Sequence, residues 1–377
     1  MTKYLELLDK IKNKVDILME RVDPSSDDEP RGISTGGKYT SEFSCFYKPG
    51  WTYSFYLGLV ALMYIHTNDK KYIEYLEKAE RPYTFFLWGN EEEIGHDSGF
   101  LYSLYAVAMY KLTGKAVYKH LALKAADEIG KRYRFEARHM QAFYDLRVRG
   151  ETDRTTHMIV DDMMNMNLLM WAYKTTGHSF YREVYKNHIE TAIKYLIRDD
   201  YSVRHAYHFD AVSGSPITEA NICGYAVGSH WARGTSWMIY GLTKVLEFSG
   251  DKARYLSALE GVSRKYLENV ADDPVPLYDF RLPADEEQIR DSSAAAITAS
   301  AFLSFEKVGV NTKITQEAVK TADMAIEALS KAEYFGNEDV EYILKYQNEE
   351  GALWGDYFFA ELLMKKVYGE KLVDFWI

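Results

Sequence analysis

Apolar positions recur with helical period along almost the whole chain, inside a larger cycle: a polar or aromatic cluster, an apolar run of helical length, then a turn. The clusters are Trp51-Thr52-Tyr53, His96-Asp97-Ser98-Gly99-Phe100, Val160-Asp161-Asp162, His230-Trp231-Ala232-Arg233-Gly234, Arg290-Asp291-Ser292-Ser293 and Trp354-Gly355-Asp356-Tyr357. The turns are Thr67-Asn68-Asp69, Thr113-Gly114-Lys115, Thr176-Gly177-His178, Ser249-Gly250-Asp251, Val308-Gly309-Val310 and Tyr368-Gly369. Asp97, Asp161 and Asp291 stand 17, 16 and 18 residues ahead of Gly114, Gly177 and Gly309, so the clusters fall at the same end of equivalent helices. That repetition predicts one mouth where acids, indoles and an arginine gather.

Two kinds of helix alternate. The segment Gly99–Leu112 is apolar on most sides, as a helix between two layers must be, whereas Ala116–Arg132 sets Leu121, Ala125 and Ile129 on one face and Lys124, Asp127 and Lys131 on others. A buried helix, a turn and an amphipathic helix make a hairpin, and the later turn glycines 250, 309 and 369 lie 59 and 60 residues apart. Six such hairpins closing on themselves give an all-α (α/α)6 barrel, which takes residues 1–377 as a single domain. Eight prolines and no long Gly/Ser linker leave no obvious boundary, and Pro24–Gly37 reads as a loop entering the first repeat.

Charge and cysteines narrow the partners. A net charge of −11 argues against nucleic acid, which needs a concentrated basic face. Met1–Met19 alternates charges with Leu, Ile and Val at helical spacing and reads as an amphipathic helix, not a signal peptide. No run approaches the roughly 20 apolar residues of a membrane span. Two cysteines, Cys45 and Cys223, form no disulfide framework or metal cluster, and a reducing cytoplasm is the simplest location.

Helix starts accept acids as caps, so Asp97, Asp161, Asp291 and Asp356 each have a structural explanation. Asp97 with His96, and Asp161 with Asp162 and Asn165, keep company that points to chemistry instead: two carboxyls close together in a partly dry cavity cannot both ionise easily, and one then serves as an acid. His205 and His208 lie in a stretch without helical period, a loop or short hairpin over the mouth, and no third ligand of matching pattern follows to complete a metal site. Arg233, between Trp231 and Trp237, could grip an anion or pair with a helix-end aspartate. Trp51, Trp231 and Trp354 stand in polar clusters and are candidates to stack on sugar rings. No Gly-rich phosphate loop precedes a helix, and the one G-x-S-x-G match, Gly32–Gly36, falls in the loop read for Pro24–Gly37 and not at a strand-to-helix elbow.

These motifs resemble the unsaturated glucuronyl hydrolases of glycoside hydrolase family 88 and, more distantly, the unsaturated rhamnogalacturonyl hydrolases of family 105, from about Gly37 to Tyr368. The pieces that carry the resemblance are His96–Ser103, Ile159–Asp161 with Asn165 and Trp171-Ala172, Trp231–Gly234 with Trp237 and Tyr240-Gly241, Arg290–Ala294, and Trp354–Tyr357. The resemblance implies removal of a 4,5-unsaturated uronic acid from the non-reducing end of lyase-generated oligosaccharides by hydration of its vinyl ether. It makes Asp161 the general acid and base, with Asp97 binding ring hydroxyls and helping to hold Asp161 protonated. It assigns substrate contacts to His96, Phe100, His205, Trp231, Arg233 and Trp237, and it calls for no cofactor and no metal. Asn165 beside Asp161, with Trp51 and Trp354, completes the expected binding set. Three departures are expected to fall in the walls: Trp51-Thr52-Tyr53-Ser54-Phe55-Tyr56 where the family has Trp-Thr-Asp-Gly-Phe-Trp, Cys223 in place of a glutamine, and a short Ile343–Trp354 segment. A sugar epimerase relying on histidine bases, or a non-catalytic oligosaccharide-binding protein on the same toroid, are the alternatives; the oligomeric state is left open.

Overall fold

The computed structural model describes residues 2–26, 28–30, 32–43, 49–89, 94–142, 155–248, 252–346 and 350–377. Six inner helical segments form a closed ring: Tyr53–Thr67, Ser98–Thr113, Asp162–Thr176, Ala232–Phe248, Ser292–Val308 and Leu353–Tyr368, each packed on the next and the last on the first. Outside them lie Lys70–Glu77 with Glu80–Gly89, then Ala116–Gly130, Ser179–Leu196, Lys252–Asn269, Thr312–Leu329 and Thr2–Arg21. This is the (α/α)6 barrel. The inner helices are buried nearly all round, while Thr2–Arg21 buries only Leu7, Leu8, Ile11, Val15 and Leu18 along one stripe.

A recurring turn keeps the inner helices in phase. At Thr67, Thr113 and Thr176 the hydroxyl donates to the carbonyl four residues back (Met63, Met109, Ala172; 2.8, 2.6 and 2.8 Å) and accepts the N–H two residues on. The intervening Asn68, Gly114 and Gly177 adopt left-handed backbone with φ of 58°, 70° and 73°, ending the helix in each case. The Ser249–Asp251 turn lies outside the described residues.

Two features depart from plain helical hairpins. The second inner segment is not one α-helix, because Ser103–Val107 is a π-helical turn between Ser98–Tyr102 and Ala108–Thr113. The stretch after Arg204 does form the expected hairpin, Ala206–Asp210 with Pro216–Ala220, and Thr155–Ile159 adds to it so that Ala206–Asp210 is the central strand of a three-stranded antiparallel sheet. The third strand was not legible from the local pattern because it lies about 50 residues earlier in the chain.

Candidate active site

The register of that sheet builds half of the site. Pairing Ile159 with Ala206 brings the turn after the first strand against His205, and Val160 N–H donates to the His205 carbonyl at 2.9 Å. Pairing Ala206 with Ala220 brings the next loop to the same ring, where the N–H groups of Ile222 and Cys223 both donate to His205 Nδ1 at 3.0 Å. Two donors on Nδ1 place the proton on Nε2, which faces Asp161 Oδ2 at 3.6 Å.

The other half comes from the second and third inner helices. Their crossing is very close at Gly99, where a Cβ would stand 2.2 Å from the Asn165 carbonyl oxygen, so only glycine fits. Asn165 clamps this crossing. Its Oδ1 accepts from Phe100 N–H at 2.8 Å and its Nδ2 donates to Asp97 Oδ1 at 3.3 Å. His96 is buried between two carboxylates, with Nε2 3.4 Å from Asp97 Oδ2 and Nδ1 3.0 Å from Asp162 Oδ1.

The four helix-end aspartates now separate by what their side chains do. Asp291 is a true cap, accepting from Ala294 N–H at 3.0 Å. Asp356 sits inside the first turn of its helix, fully engaged by Leu344 N–H and Tyr39 OH, both at 2.8 Å. Asp97 and Asp161 hold the capping position, make no capping bond, and stay half-buried at the mouth.

Electrostatics pushes this pair apart. Burial raises Asp97, and the charges of Asp161 and Asp162 add to that against His96. Burial would raise Asp161 too, but the nearby His205, then His96 and Arg233, hold it below the ordinary carboxylate range. The free site therefore favours the proton on Asp97, the reverse of the sequence-based expectation that Asp97 keeps Asp161 protonated, because the cationic and donor groups cluster on the Asp161 side. Burial opposes the charge on His96, yet Asp97 and Asp162 outweigh it and raise the imidazole to about 9.

The opposite wall is aromatic. Trp51 and Trp354 stack at 5.2 Å, Trp354 Nε1 donates to Ser293 Oγ at 3.1 Å, and that hydroxyl donates in turn to Asp291. Arg233 donates to Asp291 Oδ2 at 2.7 Å and to Tyr346 OH at 2.6 Å, and its guanidinium lies over Trp231, Tyr346 and Trp354 at 4.6, 5.3 and 5.2 Å. Trp231 also packs on His205 at 4.8 Å. Of the two roles the sequence left open for Arg233, the structure shows the ion pair. It pairs with a helix-end aspartate while forming an aromatic-backed cationic face.

Phe100 and Trp237 are enclosed instead of lining an open wall. Their rings pack together at 5.5 Å and lie 0% and 1% exposed, with Phe100 also against Trp51 and Phe55. His208 stacks on His157 across the sheet at 4.2 Å. Among the described residues no group of three or more His, Cys, Asp or Glu could hold a metal. Two of the three departures need restating. Tyr53 and Tyr56 are turned into the space between inner and outer helices, where Tyr53 packs on Tyr83 and Tyr56 OH bonds Tyr75 OH, so they are not wall residues in this chain. The short Ile343–Trp354 segment, whose residues 347–349 lie outside those described, contributes Tyr346 to the site. Sequence reasoning missed Tyr346, and no motif marks it.

A ring of helical hairpins whose mouth holds two unlike carboxyls beside stacked indoles defines a carbohydrate-processing toroid. The sequence profile of Glycosyl Hydrolase Family 88 matches residues 35–365. The chain is 31% identical over 337 residues to an unsaturated glucuronyl hydrolase of Bacillus sp. (strain GL1), covering 86% of this chain and 88% of that one. It is 26% identical over 369 residues to an unsaturated chondroitin disaccharide hydrolase of Streptococcus pyogenes serotype M1, covering 94% and 90%. The crystal structure of the unsaturated glucuronyl hydrolase from Bacillus sp. GL1 superposes with a TM-score of 0.85 at 29% identity, covering 96% of this chain and 97% of that one. This chain belongs to glycosyl hydrolase family 88 and is a glycoside hydrolase.

Proposed function

We propose that this hydrolase removes a 4,5-unsaturated uronic acid from the non-reducing end of lyase-generated oligosaccharides, with Asp161 as general acid and base. The observation that carries this reading is the pair Asp97 and Asp161, two half-buried carboxyls freed from capping and driven to opposite proton affinities in one mouth. Asp161 delivers a proton to C4 of the vinyl ether. Water then adds at C5 as Asp161 takes a proton back, giving a hemiketal whose opening expels the rest of the saccharide as an alcohol. One water is consumed, the C4–C5 double bond disappears, and the anomeric carbon is never attacked.

Because Asp161 is ionised in the free site, it must gain its proton when substrate arrives. The uronate carboxylate brings negative charge and displaces water, and both raise a neighbouring carboxyl. Asp97 is the carboxyl of higher proton affinity in the same mouth, and Asn165 with His96 fixes where it points. Trp51 and Trp354 offer faces for sugar rings, and Arg233 an anion-binding edge. A cytoplasmic location is part of this proposal, supported by the free, exposed thiol of Cys223 at the mouth; among the described residues no helix is long and apolar enough to cross a membrane.

The test is the ultraviolet absorbance of unsaturated disaccharides from several polysaccharide lyases, followed with the wild type, Asp161→Asn and Asp97→Asn. The reading expects wild-type protein to bleach at least one of them and Asp161→Asn to bleach none. Wild-type protein that leaves every substrate unchanged sinks it.

A further inference from the structure

The tautomer of His205 depends on the loop that follows its hairpin, and two further side chains, Asn221 and Asp279, hold that loop in place. Residues 221–225 bend back tightly: Asn221 Oδ1 accepts from Gly224 N–H at 3.0 Å, and its Nδ2 donates to the Gly224 carbonyl at 2.7 Å. Between those two residues lie Ile222 and Cys223, whose N–H groups both reach His205 Nδ1 at 3.0 Å. Immediately after the bend, Tyr225 N–H donates to Asp279 Oδ2 at 3.0 Å. The approach is close, since a Cβ on Gly224 would stand 3.0 Å from that same Oδ2 and 2.7 Å from Ser229 Oγ.

Asp279 is fully buried on an extended segment that pairs with Trp231. Its Oδ1 accepts from the N–H groups of His230 and Arg281, both at 2.9 Å. One carboxylate thus ties its own segment, the entry to the inner helix Ala232–Phe248 and the His205 loop together. A carboxylate buried in this way is stable only where its oxygens are met by donors, and here both oxygens are needed as acceptors. We propose that Asp279 and Asn221 are positioning residues for the reaction: together they hold the 221–225 bend so that the Ile222 and Cys223 N–H groups meet His205 Nδ1, which keeps the ring proton on Nε2, facing Asp161. Every link from Asp279 to His205 is a direct hydrogen bond or the chain between adjacent residues, and the last step is the 3.6 Å from His205 Nε2 to Asp161 Oδ2.

This inference rests on the proposed role of Asp161, so its first readout is independent of turnover. Nitrogen NMR of the His205 ring in the uncomplexed protein, at a pH where the ring is neutral, reports which nitrogen carries the proton. Asn221→Ala removes both bonds of the bend, while Asn221→Asp keeps the acceptor for Gly224 N–H and loses the donor. Asp279→Asn leaves one acceptor oxygen for His230 and Arg281 and sets its NH2 against Tyr225 N–H. Gly224→Ala crowds Asp279 Oδ2 from the loop side and decides the case if Asp279→Asn does not fold. Thr298→Val is the control, because it removes a buried 2.8 Å bond to Ser236 Oγ between the inner helices Ser292–Val308 and Ala232–Phe248.

Asn221→Ala, Asp279→Asn and Gly224→Ala should each convert His205 from the Nε2-protonated form alone to a mixture of both tautomers. Each should also lower kcat by about tenfold with a smaller change in KM, as expected when a group beside the reacting atoms loses its orientation. Asn221→Asp should fall between Asn221→Ala and wild type, and Thr298→Val should lower stability alone. A ring that stays wholly Nε2-protonated in Asn221→Ala and in the Asp279 or Gly224 variant overturns the proposal, and so does an equal tautomer change in Thr298→Val. If no uronide is hydrated at all, the functional reading fails while the His205 tautomer still decides this one.

Discussion

Both ends of the barrel hold buried charges, but they treat them in opposite ways. At the base, Glu361 receives five donors: Tyr240 OH, Ser300 Oγ and Lys365 Nζ on one oxygen, Tyr357 OH and Trp376 Nε1 on the other, all between 2.6 and 3.1 Å. Lys244 meets Asp374 at 2.6 Å beside it, and Trp376 stacks on Phe358 with rings 7° from parallel. Glu361, Tyr240, Tyr357, Lys365, Lys244 and Asp374 border a cavity of about 450 Å³. At the mouth, Asp161 Oδ2 lacks a hydrogen-bond partner, and Asp97 keeps one long bond from Asn165. The number of buried acids does not mark the active end, and neither does a shifted pKa, since Lys244 and Lys111 pull the buried Asp374 at the base down to about 2 against its burial. What distinguishes the mouth is carboxylate valence left open for a substrate.

The largest expected effect is a double dissociation between these ends. Asp161→Asn should reduce kcat by about a hundredfold to ten-thousandfold, the range of general acid–base catalysis, while lowering the melting temperature only slightly, because the carboxylate loses no more than its favourable charge contacts with His205, His96 and Arg233. Glu361→Ala should do the reverse. Removing the centre of a satisfied buried network costs about 3–5 kcal/mol of stability, with kcat per folded molecule preserved. Calorimetry and initial rates on both variants check this, and a catalytic loss in folded Glu361→Ala would show that the base is part of the machinery.

The pH responses of the two ends should also part. His96 has its pKa raised from 6.5 to about 9 in the fold, so its contribution to stability is complete below about 6.5 and is lost as pH rises through 9. Asp374 is lowered from 3.8 to about 2: burial acts against this, and Lys244 and Lys111 overcome it. Its contribution is present above 3.8 and lost only as pH falls through 2. Activity should therefore fall as pH rises past about 9, where His96 loses its proton, while tryptophan fluorescence reports an intact base. A flat rate profile across that window would remove His96 from the proton inventory.

How much of this could be read from the sequence follows the same division. The hairpins were legible because each inner helix ends in a local device, Thr67-Asn68, Thr113-Gly114 or Thr176-Gly177, whose bonds span four residues. Asp97, Asp161 and Arg233 were legible from their position ahead of those turns. His205 was singled out, but its locked tautomer was not, since it depends on the hairpin register that brings Ile222 and Cys223, 17 and 18 residues on, to its ring. Tyr346 has no local marker at all, and the direction of the Asp97–Asp161 proton preference depends on which side His205 and Arg233 occupy. Tyr53 and Tyr56 misled because an aligned residue was taken to keep its facing, whereas large rings here find room between the helix layers.

Within the mouth, Tyr346 refines the comparison, because it is an open contact on an otherwise closed ion pair. Burial pushes its hydroxyl up to about 12 despite the pull of Arg233, so it is a neutral acceptor at working pH. Tyr346→Phe leaves Arg233 bound to Asp291 and removes one hydrogen bond. The expected outcome is about a fivefold rise in KM with kcat held, corresponding to about 1 kcal/mol. A fall in kcat at constant KM would mean instead that Tyr346 acts on the transition state.

The smallest effect is expected at Cys223, where the family resemblance expects glutamine. Its N–H holds His205, yet its side chain opens to solvent. Burial of its surroundings and the negative charge of Asp161 and Asp97 outweigh Arg233 and push the thiol up to about 11. A thiol so far from ionisation is a poor nucleophile, because the thiolate is the reactive form. Cys223→Ser should leave kcat within experimental scatter, and Cys223→Gln should change only the relative kcat/KM of different lyase disaccharides, by about fivefold or less, the worth of one exposed hydrogen bond. Loss of most activity in Cys223→Ser would place the sulfur in the chemistry. The backbone N–H survives either substitution, so that loss could not be blamed on His205.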